Sequence, residues 1–353
     1  MFLIMAMFTL LIGLRIVLII GNVLGVGNFL LIVLLGCSLG IVILLDILTI
    51  VMVLHMITFY KCIDALQDPH CNANGTVFLD GTFQTAPQGF EQTWIVRSSL
   101  YNESLGTLNF LAAYALLQNK TAVTYHTVLE ELKTAAPLWS PRSFVCDFEV
   151  AEHNAIRQSF PNCPIHGCHF HYCKCVLKQF RKLGPCYRDD DYLRALLHSL
   201  YALPFVPTDN VTLTWNALSA QLSYRYPTVA GSILPYFTNT WMDGNYPLEM
   251  WNCYTRTLTN FPRTNNISEG SNNAIRAHFG CSNPTVWACI TKIKELQSST
   301  DLDLTQFYTH RWTSPSVCRK VKERDDRILS MVRDYNRTDV LNYTRRLGHM
   351  FSM

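Results

Sequence analysis

Hydrophobic and polar positions divide this chain sharply near residue 60. From Met1 to Tyr60 the formal charges are Arg15 and Asp46, with His55 the one further titratable group. A spanning helix needs roughly twenty mostly apolar residues, and the uncharged run between Arg15 and Asp46 exceeds that. The pattern therefore predicts long apolar helices over 1–60, with length for two transmembrane spans. Their apolar surface runs all round, as lipid-facing helices require, so few contacts with the rest of the chain are expected. Gly21, Gly25, Gly27, Gly36 and Gly40 suit membrane helices better than soluble ones. The run is too long for a signal-peptide core. The competing reading is a segment joined to its neighbour by a mistaken gene boundary.

Beyond a linker (61–75) the pattern changes to alternating strands and helices. Strand-like runs cover 76–83 and 91–101, whereas "LNFLAAYALLQNK" leaves helix and strand open. "KTAVTYHTVLEELKTAA" predicts an amphipathic helix with Val123, Val128, Leu129 and Leu132 on one side. "SFVCDFEV" is a second apolar strand, "EVAEHNAIRQSF" a helix, and "PIHGCHF" a third apolar stretch. A long helical tract follows, an insertion over about 172–262, punctuated by proline. Asn266 with Glu269 three residues later makes a capping-box start for another helix. A basic helical tail occupies 300–353. Strands alternating with helices, then a long helical tract, predict an α/β core with an all-α addition.

Composition adds little to this picture. The net charge of +3 is too small to imply nucleic acid unaided, and thirteen cysteines form no periodic framework. Seven N-x-S/T sequons, at Asn74, Asn102, Asn119, Asn210, Asn266, Asn336 and Asn342, would fit a disulfide-bonded membrane glycoprotein if the chain were extracellular. Chance occurrence in an Asn- and Thr-rich chain is the simpler account.

Asp80 lies in the middle of a strand whose neighbours Val77, Phe78, Leu79 and Phe83 predict burial on both faces. A carboxylate there is costly unless something neutralises it. Asp147 ends the second apolar strand, and Glu269 falls in the first turn of a later helix, where its ionised form is favoured. Three acids on rigid elements suit a two-metal phosphoryl-transfer site, with hard oxygen ligands holding two Mg²⁺ or Mn²⁺ ions. Singly, each has a plainer account: Asp80 could open a turn with Gly81, Asp147 could cap the next helix, and Glu269 could complete a capping box.

"FLDGTFQTAPQGFEQTW", "DFEVAEHNAIRQSFP", "GCHFHY" and "RTNNISEG" resemble, in order, the blocks of Mutator-like element (MULE) transposases, over about Val77 to Leu296. The resemblance implies a ribonuclease-H-like fold for 76–299, a mixed sheet flanked by helices, with a DDE metal site and a helical insertion before the last acid. Asp80, Asp147 and Glu269 match the three acids. Cys168 and His171 match the C-x₂-H element and Trp241 the tryptophan of the insertion, while Arg263 and Asn265 belong to the R-T-N-N word; these five are expected to support the site or contact DNA. The implied function is metal-dependent DNA strand cleavage and transfer in the nucleus, with DNA as partner and a homo-oligomer in view. The hydrophobic segment stands where such transposases usually carry a zinc-finger-type DNA-binding domain. A truncated, non-catalytic DNA-binding remnant is therefore the first alternative, and a membrane-anchored glycoprotein the second.

"CPIHGCHFHYCKC" packs four cysteines and three histidines into thirteen positions. A structural Zn²⁺ site is the obvious suggestion. The spacing is not that of a standard finger, and alternate residues of a strand point to opposite faces, so at most half can converge. Placing Cys168 and His171 beside the acids explains the cluster better. Lys174, Lys178, Arg181 and Lys182, with aromatics among them, are candidate phosphate contacts; a solvated helix face is the plainer account.

Overall fold

The structure, a computed structural model, describes residues 28–35, 39–46, 55–58, 60–69, 71, 75–184, 186–264, 266–316 and 318–351, with backbone alone for 28–60, 186, 266–271 and 273. The chain is mixed α/β and divides into two compact units. The first comprises 1–144, 151–163 and 266–314, the second 145–150, 164–265 and 315–353.

The first unit is built on a sheet. Its strands are β1 (Asn28–Leu35), β2 (Leu39–Asp46), β3 (His55–Thr58), β4 (Thr76–Thr82), β5 (Gln92–Asn102) and β6 (Gly106–Leu117). In space the order is β1-β2-β3-β6-β5-β4, antiparallel throughout. A further strand, β7 (Ser143–Cys146), starts beside β4: Thr76 Oγ1 lies 3.3 Å from Ser143 Oγ, and Arg142 N donates to Gly75 O at 3.0 Å.

The apolar segment departs from expectation. Its described residues form β1–β3 rather than helices, and β3 pairs with β6 from His55–Leu116 to Thr58–Ala113. Its end thus extends the sheet instead of standing apart from it. Short Ile, Val and Leu runs have no period of their own, and β-branched residues fit a pleated surface well. Among the described residues no helix is long and apolar enough to cross a membrane. Residues 1–27, 36–38, 47–54 and 59 of that expectation lie outside the described residues.

β6 settles the ambiguity of "LNFLAAYALLQNK" in favour of strand, because β5 pairs along its whole length. One sheet face carries Trp94, packed at 5.1 Å on Tyr125 of the helix Ala122–Ala135 and donating to Glu152 Oε1 at 2.7 Å. That helix buries Val128, Leu129 and Leu132 as the pattern predicts, and Tyr125 as well, but Val123 is exposed. The opposite face carries Phe78, Asp80, Ile95, Arg97 and Tyr114, which lie opposite one another in register. Gln297 of the helix Val286–Tyr308 lies against Cys62 of the helix Tyr60–Gln67, and Cys62 donates to the β6 carbonyl of Leu111.

The second unit is mainly helical. Tyr172, Trp215, Phe237, Trp241, Trp251 and Phe205 form an aromatic core to which Tyr343 and Leu347 of the C-terminal tract belong. Each such buried ring contributes roughly 1.5–3 kcal/mol by leaving water. Tyr343 also donates to the Phe205 carbonyl at 2.6 Å, so the tract is fastened by polar as well as apolar contact.

Three of the sequons have a local structural use. The Oδ1 atoms of Asn102, Asn119 and Asn336 each accept from the backbone N–H and the hydroxyl two residues on. N-x-S/T is the sequence of such an Asx turn.

Candidate active site

Asp80 lies inside β4, directly opposite Ile95, with Gly81 opposite Trp94. The Asp-Gly pair is therefore strand, not turn. A Cβ at Gly81 would stand 2.2 Å from Gln92 Oε1, so the end of the Gln92 side chain would have to shift to admit one. Asp80 is only 7% exposed. Its Oδ2 accepts from Asn272 Nδ2 at 2.5 Å, and Asn272 Oδ1 accepts from Arg97 Nη2 at 3.3 Å. A carboxylate cannot donate and a guanidinium cannot accept, so the amide orientation is fixed by its partners.

Arg97 is buried on β5, beside a bulge at which Val96 faces Ala113 while Arg97 faces Leu111. Burial pulls its pKa down to about 10, against the charges of Tyr114 and Asp80 that favour the cation. Burial likewise pushes the Tyr114 hydroxyl up. The buried Asp80 thus has a cation and an amide as company within its own unit. Neither was legible in the sequence: Arg97 reads as one polar residue of a strand, and Asn272 lies 192 residues from its partner.

Asn272 belongs to the helix Asn266–Phe279, which begins where the capping-box pattern puts it. Glu269 is on the same helix, three residues earlier. The helix carrying Glu269 is thereby fastened to the strand carrying Asp80. The side chains of Asn265 and Glu269 lie outside the described residues.

In the second unit Asp147 follows β7, and its Oδ1 pairs with Nδ1 of His171. Burial alone would lower the His171 pKa, but the Asp147 carboxylate and the Cys168 thiol outweigh it and raise it to about 11. Cys168 is the N-cap of the helix His169–Lys182, and its N–H donates to Cys146 O at 2.9 Å, joining that helix to the end of β7. Cys168 and His171 therefore both stand beside Asp147.

Phe148 follows, and Trp241 stands edge-on to it at 4.7 Å, inside a five-residue π-helix (Thr238–Met242). Tyr172 and Tyr246 also meet Trp241, at 4.7 and 5.3 Å. Trp241 is core rather than surface, so it supports the Asp147 turn from behind. Gly167, the last residue of β8 (Ile165–Gly167), is the other support: a Cβ there would lie 2.2 Å from Phe148 Cζ. Gly167→Ala is expected to cost about 1–3 kcal/mol by overpacking. Adding Phe148→Leu should recover part of that loss. Urea midpoints of both singles and the double variant check it, and strict additivity would refute the clash.

The seven Cys and His side chains are dispersed by the elements that carry them. The strand is only three residues long, and from His169 the segment is helix, not strand. His169 points into the core, where its Nε2 donates to Tyr201 O at 2.7 Å and burial drives its pKa down to about 3. His166 stacks edge-on to Phe261 at 5.0 Å, and burial together with Arg256 lowers its pKa to about 4. Among the described residues, no three of the seven gather ligand atoms around one point.

Arg256, also missed in the sequence, donates to Gly167 O at 3.0 Å and to Pro262 O. Arg263 O in turn accepts from His169 N at 3.0 Å, while the Arg263 side chain pairs with Asp325 at 2.8 Å. Arg263 is thus a structural tie. Lys174, Lys178, Arg181 and Lys182 are all exposed on the helix His169–Lys182, and the first three are spaced along one stripe that continues from His171. Lys174 Nζ also sits 4.0 Å over the Phe170 ring.

No curated protein matches the chain. A protein-family model does match, over residues 76–175, and that stretch contains Asp80, Arg97, Asp147, Cys168 and His171. Over these residues the chain carries a MULE transposase domain.

Proposed function

We propose that the chain is a DDE-type DNA transposase of the Mutator-like class on a ribonuclease-H-like fold. It would cut DNA at element ends and join the freed 3′-hydroxyl to target DNA. The observation that carries this reading is the Asn272–Asp80 bond, which fastens the helix of one expected metal ligand to the strand of another. Asp80, Asp147 and Glu269 would hold two Mg²⁺ or Mn²⁺ ions. The donor set fits such ions, since carboxylate oxygens on strand and helix are hard ligands. The surroundings fit too: a carboxylate as buried as that of Asp80 favours a cation beside it. Bound ions would supply Lewis acidity to the attacking oxygen and stabilise the leaving one.

The chain's own groups do the positioning. Asn272 holds one oxygen of Asp80, His171 holds one of Asp147, and Phe148 is wedged between Gly167 and Trp241. Lys174, Lys178 and Arg181 would hold phosphates and set the strand's register without reading its sequence. DNA is then the partner and the nucleus the place of action. The test is strand transfer by the full chain on a pre-cleaved transposon end. Product is expected with Mg²⁺ or Mn²⁺ and not with Ca²⁺. DNA binding with neither cleavage nor joining in any metal would leave a DNA-binding remnant instead.

A further inference from the structure

The buried bridge between Arg97 and Asp80 is more than a satisfied amide. Arg97 is 2% exposed and Asp80 7% exposed, on the same face of neighbouring strands. A guanidinium and a carboxylate in that setting ordinarily close on each other in a bidentate pair. Here they do not. Among the described residues the guanidinium's hydrogen bond goes to Asn272 Oδ1, and its Nη1 has no hydrogen-bond partner. Asn272, itself 6% exposed, takes the place between them.

An ionised carboxylate has about four acceptor sites. One N–H from Asn272 on Oδ2 uses one of them and fixes the side-chain rotamer. A forked pair with Arg97 would use both oxygens and cancel the charge that a divalent cation needs. The amide thus does two things at once. It orients Asp80, and it keeps the fixed cation of β5 one group away from it. Its place on the Glu269 helix links that spacing to the element bringing the third acid.

We propose that Asn272 is a positioning residue of the metal site, a neutral spacer that holds Asp80 ready for a divalent ion by keeping Arg97 off it. The proposal rests on the transposase reading, through Asp80 as a metal ligand. Removing the spacer lets Arg97 collapse onto Asp80, and metal affinity falls. Removing Arg97 as well takes away the competitor, and affinity returns. A residue that only filled space or held the helix would show no such return.

The experiment measures Mn²⁺ binding to the full chain by titration calorimetry and by the spin-resonance signal of free Mn²⁺, without DNA or turnover. Wild type is compared with Asp80→Asn, Asn272→Ala, Arg97→Met and the Asn272→Ala/Arg97→Met double variant. Asn272→Ala is expected to weaken binding by about 10–100-fold, the range for loss of an outer-shell partner. Arg97→Met should bind at least as tightly as wild type, and the double variant should recover most of the loss. Circular dichroism verifies folding, and Asn272→Ser replaces Asn272→Ala if the alanine variant is unfolded. A double variant as weak as Asn272→Ala, an Asn272→Ala of wild-type affinity, or an Arg97→Met that binds more weakly than wild type overturns the spacer while leaving the transposase reading intact. Absent Mn²⁺ binding in the wild type, or binding indifferent to Asp80→Asn, overturns both.

Discussion

Asp80→Asn, Asp147→Asn and Glu269→Gln are each expected to remove strand transfer almost completely. On the proposed reading the loss should exceed the roughly 10–100-fold typical of an outer-shell change, because each substitution would take an anionic ligand from the ions themselves. The three together should cost little more than one, since groups acting as a unit are grossly non-additive. DNA affinity should survive, because on that reading Lys and Arg rather than the acids would hold the phosphates. Strand transfer and DNA binding are measured on the same preparations. Asp80→Asn has a second effect, on folding. It deprives the buried Arg97 of the negative charge beside it, so melting temperature must be followed with activity. Full activity in that variant would show that the carboxylate serves only the Arg97–Asn272 network.

The largest expected effect on stability is at Trp241. Trp241→Ala should destabilise the second unit by about 3–5 kcal/mol, the usual range for removing a fully buried aromatic. Its ring meets Phe148, Tyr172, Tyr246 and Trp251, and its backbone carbonyl accepts from Trp251 Nε1 at 3.1 Å. These neighbours cannot close the gap together without losing their own edge-on contacts. Denaturant unfolding followed by circular dichroism measures the loss. Trp241→Phe should lose less than half as much. A midpoint unchanged in the alanine variant would mean that the π-helix segment contributes nothing to the core.

What could be read from the sequence follows from how local each signal is. Asp80 was visible because an acid among Val77, Phe78 and Leu79 breaks an apolar strand. The start of the Glu269 helix was visible because capping is a matter of four adjacent residues. His169 and His171 could not be sorted the same way. Two residues apart, they would share one face of a strand but stand on opposite sides of a helix, and only the fold decides which applies and which side is core. Asn272 and Arg97 were invisible because neither breaks a local pattern; their meaning lies in a contact across 175 residues. The apolar segment misled for a different reason. A run of Ile, Val and Leu without a period gives length and apolarity, and neither separates a helix from consecutive strands.

The bond between Asp80 and Asn272 also bears on how this protein is made. Its two ends are 192 residues apart in the chain. At translation rates of about 5–20 residues per second, β4 is synthesised roughly 10–40 s before its partner. During that interval the sheet face with Phe78, Asp80 and Arg97 has neither the Asn266–Phe279 nor the Val286–Tyr308 helix to cover it. The insertion between them is thus a delay as well as a domain. A nascent chain stalled before residue 266 is therefore expected to leave that sheet face open, and the face to close only once the chain past residue 308 has been made.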